Sequence, residues 1–170
     1  MNDPTLTLMI FIPLLGMAVV LTLPSRAHDA IRWTSTAFSV PPLLLAVRVL
    51  QGFRPDAGFQ FVQKAPWIDS FNIQYFVGVD GISITMVVLT ALLCFICMIA
   101  SFGIDRGVKG YYALFLLLET GMLGVFCALD FFLFFVFWEV MLLPMYFLIG
   151  IWGGPRREYA AIKLDRKSVV

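Results

Sequence analysis

The stretch Phe131-Phe132-Leu133-Phe134-Phe135-Val136-Phe137-Trp138-Glu139-Val140-Met141-Leu142-Leu143-Pro144-Met145-Tyr146-Phe147 decides the fold, and the apolar run continues to Trp152. About 20 mainly apolar residues suffice to cross a bilayer, so this run is a membrane span. Glu139 is its only acid. At about 1.5 Å per residue it lies roughly 20 Å from the Trp152 end and 12 Å from the Phe131 end. Water does not reach it easily from either side. A bare carboxylate at that depth costs several kcal/mol, and the neutral acid is the cheaper form unless a cation pairs with it. Such a residue marks an ion pathway or a buried helix–helix hydrogen bond. Proline has no N–H, so Pro144 leaves the carbonyl of Val140 without its helical donor. A free carbonyl next to a buried acid suits an ordered water, which a proton path needs.

The rest of the chain has the same character. Of its 170 residues, 61% are hydrophobic and only 14% charged, which excludes an ordinary soluble domain. A net charge of +1 gives no reason to expect a nucleic-acid partner. Four further spans are expected: Thr5 to Leu23, Trp33 to Leu50, Ile82 to Ile104 and Tyr111 to Leu129. Pro41-Pro42 are expected to interrupt the second of these. No Lys or Arg precedes the first span, which carries Asp3 instead, so it is expected to stay rather than be cleaved as a signal. The fold class is thus an all-α membrane protein of about five transmembrane helices. Between the second and third spans, Phe59 to Gln63 and Phe71 to Val77 alternate apolar and polar residues, with Pro66 and Asp69-Ser70 between them. That pattern suggests a short, external hairpin-like loop lying on the membrane surface, with an irregular amphipathic loop as the alternative. Asp80-Gly81-Ile82-Ser83 reads as a turn and cap feeding the third span.

Lys and Arg set the orientation. One side collects Arg26, Arg32, Arg106, Lys109, Arg156, Arg157, Lys163, Arg166 and Lys167, against Arg48, Arg54 and Lys64 on the other. The first side is expected to be cytoplasmic, with the N-terminus and the hairpin outside.

Glu119 is a second acid at depth, in the span from Tyr111 to Leu129, with Gly121 and Gly124 beside it to allow close helix approach. Its expected depth differs from that of Glu139 by about 8 Å, so one or two waters link the acids if their faces converge. Glu119 is either a weaker member of the same path or interhelical glue. Cys94-Phe95-Ile96-Cys97 has the C-x-x-C form but lies inside a span with no histidine near it, which favours plain packing thiols. His28 reads as a solvated loop residue.

The residues Gly124 to Asp130, followed by the whole run from Phe131 to Gly153, closely resemble the chain M family of bacterial NADH–quinone oxidoreductase, which corresponds to chain 4 of mitochondrial complex I. Val79-Asp80-Gly81-Ile82-Ser83 and the stretch Gly154 to Lys163 resemble it too, so the likeness covers residues 1–163. The resemblance implies part of an antiporter-like fold that translocates protons coupled to NADH oxidation and quinone reduction. It implies that Glu139 is the key proton group, paired in the family with a lysine on a later span, and that Lys163 is not that lysine. NADH, FMN, iron–sulfur clusters and quinone would belong to partner chains, with no cofactor in this one. The partners would be other membrane subunits of complex I and the lipid of a bacterial inner membrane. Residues 164–170 depart from the family pattern and read as an atypical tail, expected from truncation or a frameshift, which makes 1–163 an N-terminal piece. Two alternatives stand beside this reading: a chain of a multi-subunit cation/proton antiporter, and a non-transporting relic.

Overall fold

The computed structural model describes residues 4–54, 58–68, 73–155, 159–160 and 162–163. Five helices carry the fold: α1 (Thr5–Thr22), α2 (His28–Gly52), α3 (Ser83–Ala100), α4 (Val108–Cys127) and α5 (Phe131–Trp152). All five are long and apolar enough to cross a membrane, with α3 extended by a 3₁₀ turn at Ser101–Gly103. An antiparallel hairpin of β1 (Gln60–Ile68) and β2 (Ile73–Val79) stands between α2 and α3.

The helix ends follow local chemistry. Asp130 caps α5, its Oδ1 accepting from the N–H groups of Phe132 at 2.9 Å and Leu133 at 3.1 Å. Asp80 accepts from Ile82 N–H at 3.1 Å and Ser83 N–H at 2.7 Å, so the expected cap of α3 is present. Gly107 precedes α4 with φ +63°, a left-handed conformation that favours glycine. It also lies against the Trp152 ring, where a Cβ would meet Cζ2 at 3.1 Å. The Trp152 indole N–H donates to the Arg106 carbonyl at 2.7 Å, tying the end of α5 to the start of α4.

Two expectations need correction. Pro41 and Pro42 do not interrupt the second span: α2 runs through both, and Pro42 is buried. Packing against α1, α3 and α4 supports the helix past the two missing donors, which leave the carbonyls of Ala37 and Phe38 without their i+4 partners. In the hairpin, β1 continues through Pro66 rather than ending before it. A two-stranded sheet has only edge strands, so the missing N–H of Pro66 faces no neighbour. Phe61 has φ 53°, and the register shifts between Gln60 and Gln63, which marks a bulge. The turn residues Asp69-Ser70 and the strand start at Phe71-Asn72 lie outside the described residues, as does the tail 164–170.

The bundle has two distinct ends. At one, Thr7 of α1 donates to Gln63 of β1 and shares a 3.0 Å hydrogen bond with the Tyr75 hydroxyl of β2. The Leu129 N–H, in the α4–α5 turn, donates to the Phe76 carbonyl at 2.8 Å. At the other end, Arg32 joins Asp29 at 3.2 Å and Asp105 at 2.9 Å, and also donates to the Ile104 carbonyl at 3.0 Å. Arg48, Arg54 and Lys64 thus lie toward the hairpin end, and Arg26, Arg32, Arg106 and Lys109 toward the opposite one. These seven sort between the two ends as expected from sequence, while Arg156, Arg157, Arg166 and Lys167 lie outside the described residues.

Candidate functional site

The buried core divides into two apolar clusters. Toward the hairpin end sit Leu6, Met9 and Ile10 of α1, Ala46 and Val49 of α2, Ile84, Val87 and Ala91 of α3, and Leu123 and Cys127 of α4. Toward the other end sit Val20 of α1, Ile31 of α2, Met98 of α3, and Val108, Tyr112, Ala113 and Leu116 of α4. Each of these helices passes from one cluster to the other near its middle. There the buried polar groups gather: Ser35, Thr36 and Ser39 on α2, and Glu119 and Thr120 on α4. Pro13 and Gly16 of α1 and Cys94 of α3 are buried at the same level. The bundle therefore has a cluster of polar groups at its waist between two mainly apolar halves.

Glu119 is the acid of that waist. Its side chain is 0% exposed, and Ser39 Oγ donates to its Oε1 at 3.1 Å across the α2–α4 interface. Its other oxygen, Oε2, is buried with no hydrogen-bond partner among the described residues. An unsatisfied buried oxygen costs about 1–3 kcal/mol, so a water or a further side chain is expected to complete the site.

Glu139 is placed differently. α5 packs on α4 through Leu133, Phe137 and Pro144, which are buried, whereas Glu139 is exposed. Phe135, Leu143 and Tyr146 share its face, as the helical period requires, and are also exposed. The glycines of α4 do what their size predicts. A Cβ on Gly121 would meet the Met141 backbone at 3.0 Å, and one on Gly124 would overlap the Phe137 ring. This pairing puts Glu119 level with Leu143, four residues beyond Glu139, or about 6 Å along the axis. The depths agree with expectation to within about 2 Å. The faces do not converge: Glu119 points to α2, and the Gly121–Gly124 seam lies between it and α5. The helix body of α4 stands between the two acids.

Pro144 lies within α5, which continues unbroken to Trp152, with the proline buried. Cys94 is buried and Cys97 exposed, so the C-x-x-C pair does not present two thiols to one point. A cavity of about 440 Å³ between α1, α4, α5 and the hairpin is lined by Phe11, Leu14, Trp67, Tyr75, Val136 and Val140, among others, and neither acid lines it. Sequence reasoning missed Ser39. Its signal was present: Ser35 and Ser39 are four apart, on one face of a predicted span.

The glycine-pinned α4–α5 pair, the two acids midway along their helices and the hairpin at one end of the bundle can now be set beside known proteins. Residues 128–169 match the family described as NADH:quinone oxidoreductase/Mrp antiporter, transmembrane. The chain is homologous to NADH-quinone oxidoreductase subunit M of Rickettsia conorii, with 36% identity over 167 residues covering 94% of this chain and 34% of the relative. It is similarly related to NAD(P)H-quinone oxidoreductase chain 4 of Picosynechococcus, at 38% identity over 162 residues, covering 94% of this chain and 30% of the relative. Among solved structures, a chain of respiratory complex I from Thermus thermophilus with bound NADH superposes with TM-score 0.76 and 25% identity, over 92% of this chain and 31% of that one. A chain of the Mrp complex from a Dietzia species shares the fold, with TM-score 0.73 and 24% identity, over 93% of this chain and 17% of that one. The chain thus spans about a third of the length of the curated relatives it matches.

Proposed function

We propose that this chain works as part of a proton-translocating membrane subunit of a respiratory NADH–quinone oxidoreductase, in a bacterial inner membrane. The single observation that carries this reading is the position of Glu139. It lies at mid-depth on a face of α5 that no helix of the described chain covers. An acid on an open face at that depth calls for a counter-charge on a further helix. A lysine there would hold the carboxylate ionised, and its withdrawal would return the group to its neutral form by taking up a proton. That exchange is one step of a transport cycle. Glu119 serves as a second proton group on the interior side of α4, and the carbonyl freed by Pro144 gives water a foothold beside Glu139.

In this reading the chain performs no redox chemistry. NADH, FMN, iron–sulfur clusters and quinone are held by partner chains, and the later helices of the full-length subunit cover the open face of α5. The Arg32 end faces the cytoplasm and the hairpin end faces outward, which follows from the nine-to-three sorting of Lys and Arg.

The experiment is to place Glu139→Gln and Glu139→Asp in the full-length subunit of the assembled complex and follow NADH-driven proton pumping in inverted membrane vesicles. Gln keeps the size but carries no proton, so pumping falls at least about a hundredfold, the usual weight of a proton-transfer group. Asp retains part of it. Normal pumping by the Gln variant would make the residue structural. A second reading, a chain of a multi-subunit cation/proton antiporter, is favoured by the shared fold with the Mrp complex chain. Genes for hydrophilic redox chains beside this one support the first reading, and their replacement by antiporter genes supports the second.

A further inference from the structure

The hydroxyl of Ser39 behaves unlike the others buried beside it. Ser35 Oγ donates to the Ile31 carbonyl at 2.8 Å, Thr36 Oγ1 to the Arg32 carbonyl at 2.9 Å, and Thr120 Oγ1 to the Leu116 carbonyl at 3.2 Å. Each returns to its own helix four residues back, the usual habit of Ser and Thr in apolar helices. Ser39 instead reaches across to Glu119. The same backward acceptor is available to it, the carbonyl of Ser35. Its oxygen also has lone pairs to receive a proton donor. Ser39 lies two residues before Pro41-Pro42, where α2 lacks two backbone donors, so this turn of the helix is held less tightly than its neighbours.

We propose that Ser39 is a positioning residue for proton binding at Glu119, with its hydroxyl alternating between two partners. In the ionised form of Glu119, Ser39 donates to Oε1 across the 3.1 Å contact. When a proton arrives at the orphaned Oε2, carried by water, the ion no longer needs that donor. The carboxyl group turns so that its protonated oxygen faces Ser39, whose hydroxyl swings back to the Ser35 carbonyl while its oxygen accepts from the neutral acid. No bond forms or breaks except the O–H of the carboxyl group, and the proton leaves by the same water. Among the described residues, Ser39 is the side chain that hydrogen-bonds Glu119. The inference rests on the proposed function, since it gives Glu119 a proton to exchange.

The test uses the full-length subunit in its assembled complex, with Ser39→Ala, Ser39→Thr, Glu119→Gln and the double variant Ser39→Ala/Glu119→Gln. An infrared difference spectrum, acid minus alkaline, isolates carboxyl groups that change protonation. The C=O band lost in Glu119→Gln is that of Glu119. Ser39→Ala moves this band to higher wavenumber, because the carboxyl loses a hydrogen bond, and slows NADH-driven pumping about tenfold, the weight of one hydrogen bond to a charged group. Ser39→Thr restores both. The double variant pumps no worse than Glu119→Gln, because the serine acts only through the acid. An unmoved band in Ser39→Ala, an equal pumping loss from Ser39→Ala in both backgrounds, or no Glu119-dependent band at all would overturn the proposal. Normal pumping by Glu119→Gln would overturn it too, while leaving Glu139 and the proposed function standing. Failure of the Glu139 variants to affect pumping would remove the reading beneath it.

Discussion

Gly124 of α4 lies so close under the ring of Phe137 of α5 that a single added methyl group would overlap the aromatic carbons. One turn earlier, Gly121 stands against the backbone of Met141 at a distance that leaves no slack. The α4–α5 pair is therefore a backbone-to-side-chain seam, and it fixes where both acids point.

The first prediction concerns this seam. Gly124→Leu forces Phe137 out of its place, whereas Gly121→Ala pushes on main chain that cannot yield. Each is expected to cost about 1–3 kcal/mol, the usual range for overpacking. Thermal unfolding of the detergent-purified chain, followed by exposure of its buried cysteines to a thiol probe, reads the loss. An unchanged midpoint in both variants would show that α5 is not held by this contact.

Asp80 gives a prediction in pH. Its carboxyl is held below the usual carboxylate range by the Ser83 N–H above all, with Ile82 N–H adding to it. A depressed pKa in the folded state means that the stabilisation is complete above the unfolded value of about 3.9 and is lost as pH falls through the folded value. Removing the cap with Asp80→Ala is expected to cost about 1 kcal/mol near neutrality. The gap in thermal midpoint between parent and variant therefore stays constant down to about pH 5 and closes below about pH 4. A gap that widens on acidification contradicts the capping role.

Topology can be probed at two glycines with open space around them, Gly58 beside the hairpin and Gly154 beyond α5. In a background with Cys94, Cys97 and Cys127 replaced, Gly58→Cys is expected to react with an impermeant thiol reagent added outside intact cells. Gly154→Cys should react only after the membrane is opened. Labelling of both from the same side would break the five-span arrangement, and the reverse pattern would invert it.

The 170-residue chain by itself is expected to insert into liposomes and carry no protons. Glu139 faces outward with no counter-charge beside it, and Glu119 is enclosed between two apolar clusters. A pH-sensitive dye under an imposed potential measures the leak. A leak above that of empty liposomes, abolished by Glu139→Gln, would mean that these helices already form a path.

Much of this was legible in the sequence. Span five had the same limits as α5, because Asp130 and Gly153-Gly154-Pro155 punctuate it on both sides. Gly121 and Gly124 announced close approach, and Asp80 announced a cap. The parts that were not legible share one cause. In a chain that is apolar on every face, hydrophobic period does not separate the side facing neighbours from the side facing lipid. Nothing local told that Glu139 looks away from α4, or that Glu119 looks toward Ser39. Pro41-Pro42 misled for a related reason: the cost of two lost donors is a local quantity, and the packing that offsets it comes from helices far away in sequence.

The division of the core has an electrical consequence. A membrane voltage falls mainly across regions without water, and here those are the two apolar clusters on either side of the waist. Moving one elementary charge across a whole membrane is worth about 2.3 kcal/mol per 100 mV. A proton passing between either face and Glu119 crosses roughly half of that drop, about 1 kcal/mol per 100 mV. If Glu119 exchanges a proton as proposed, its occupancy would be tied to the charge state of the membrane, and a cell that energises its membrane would shift the load on this carboxyl without touching it.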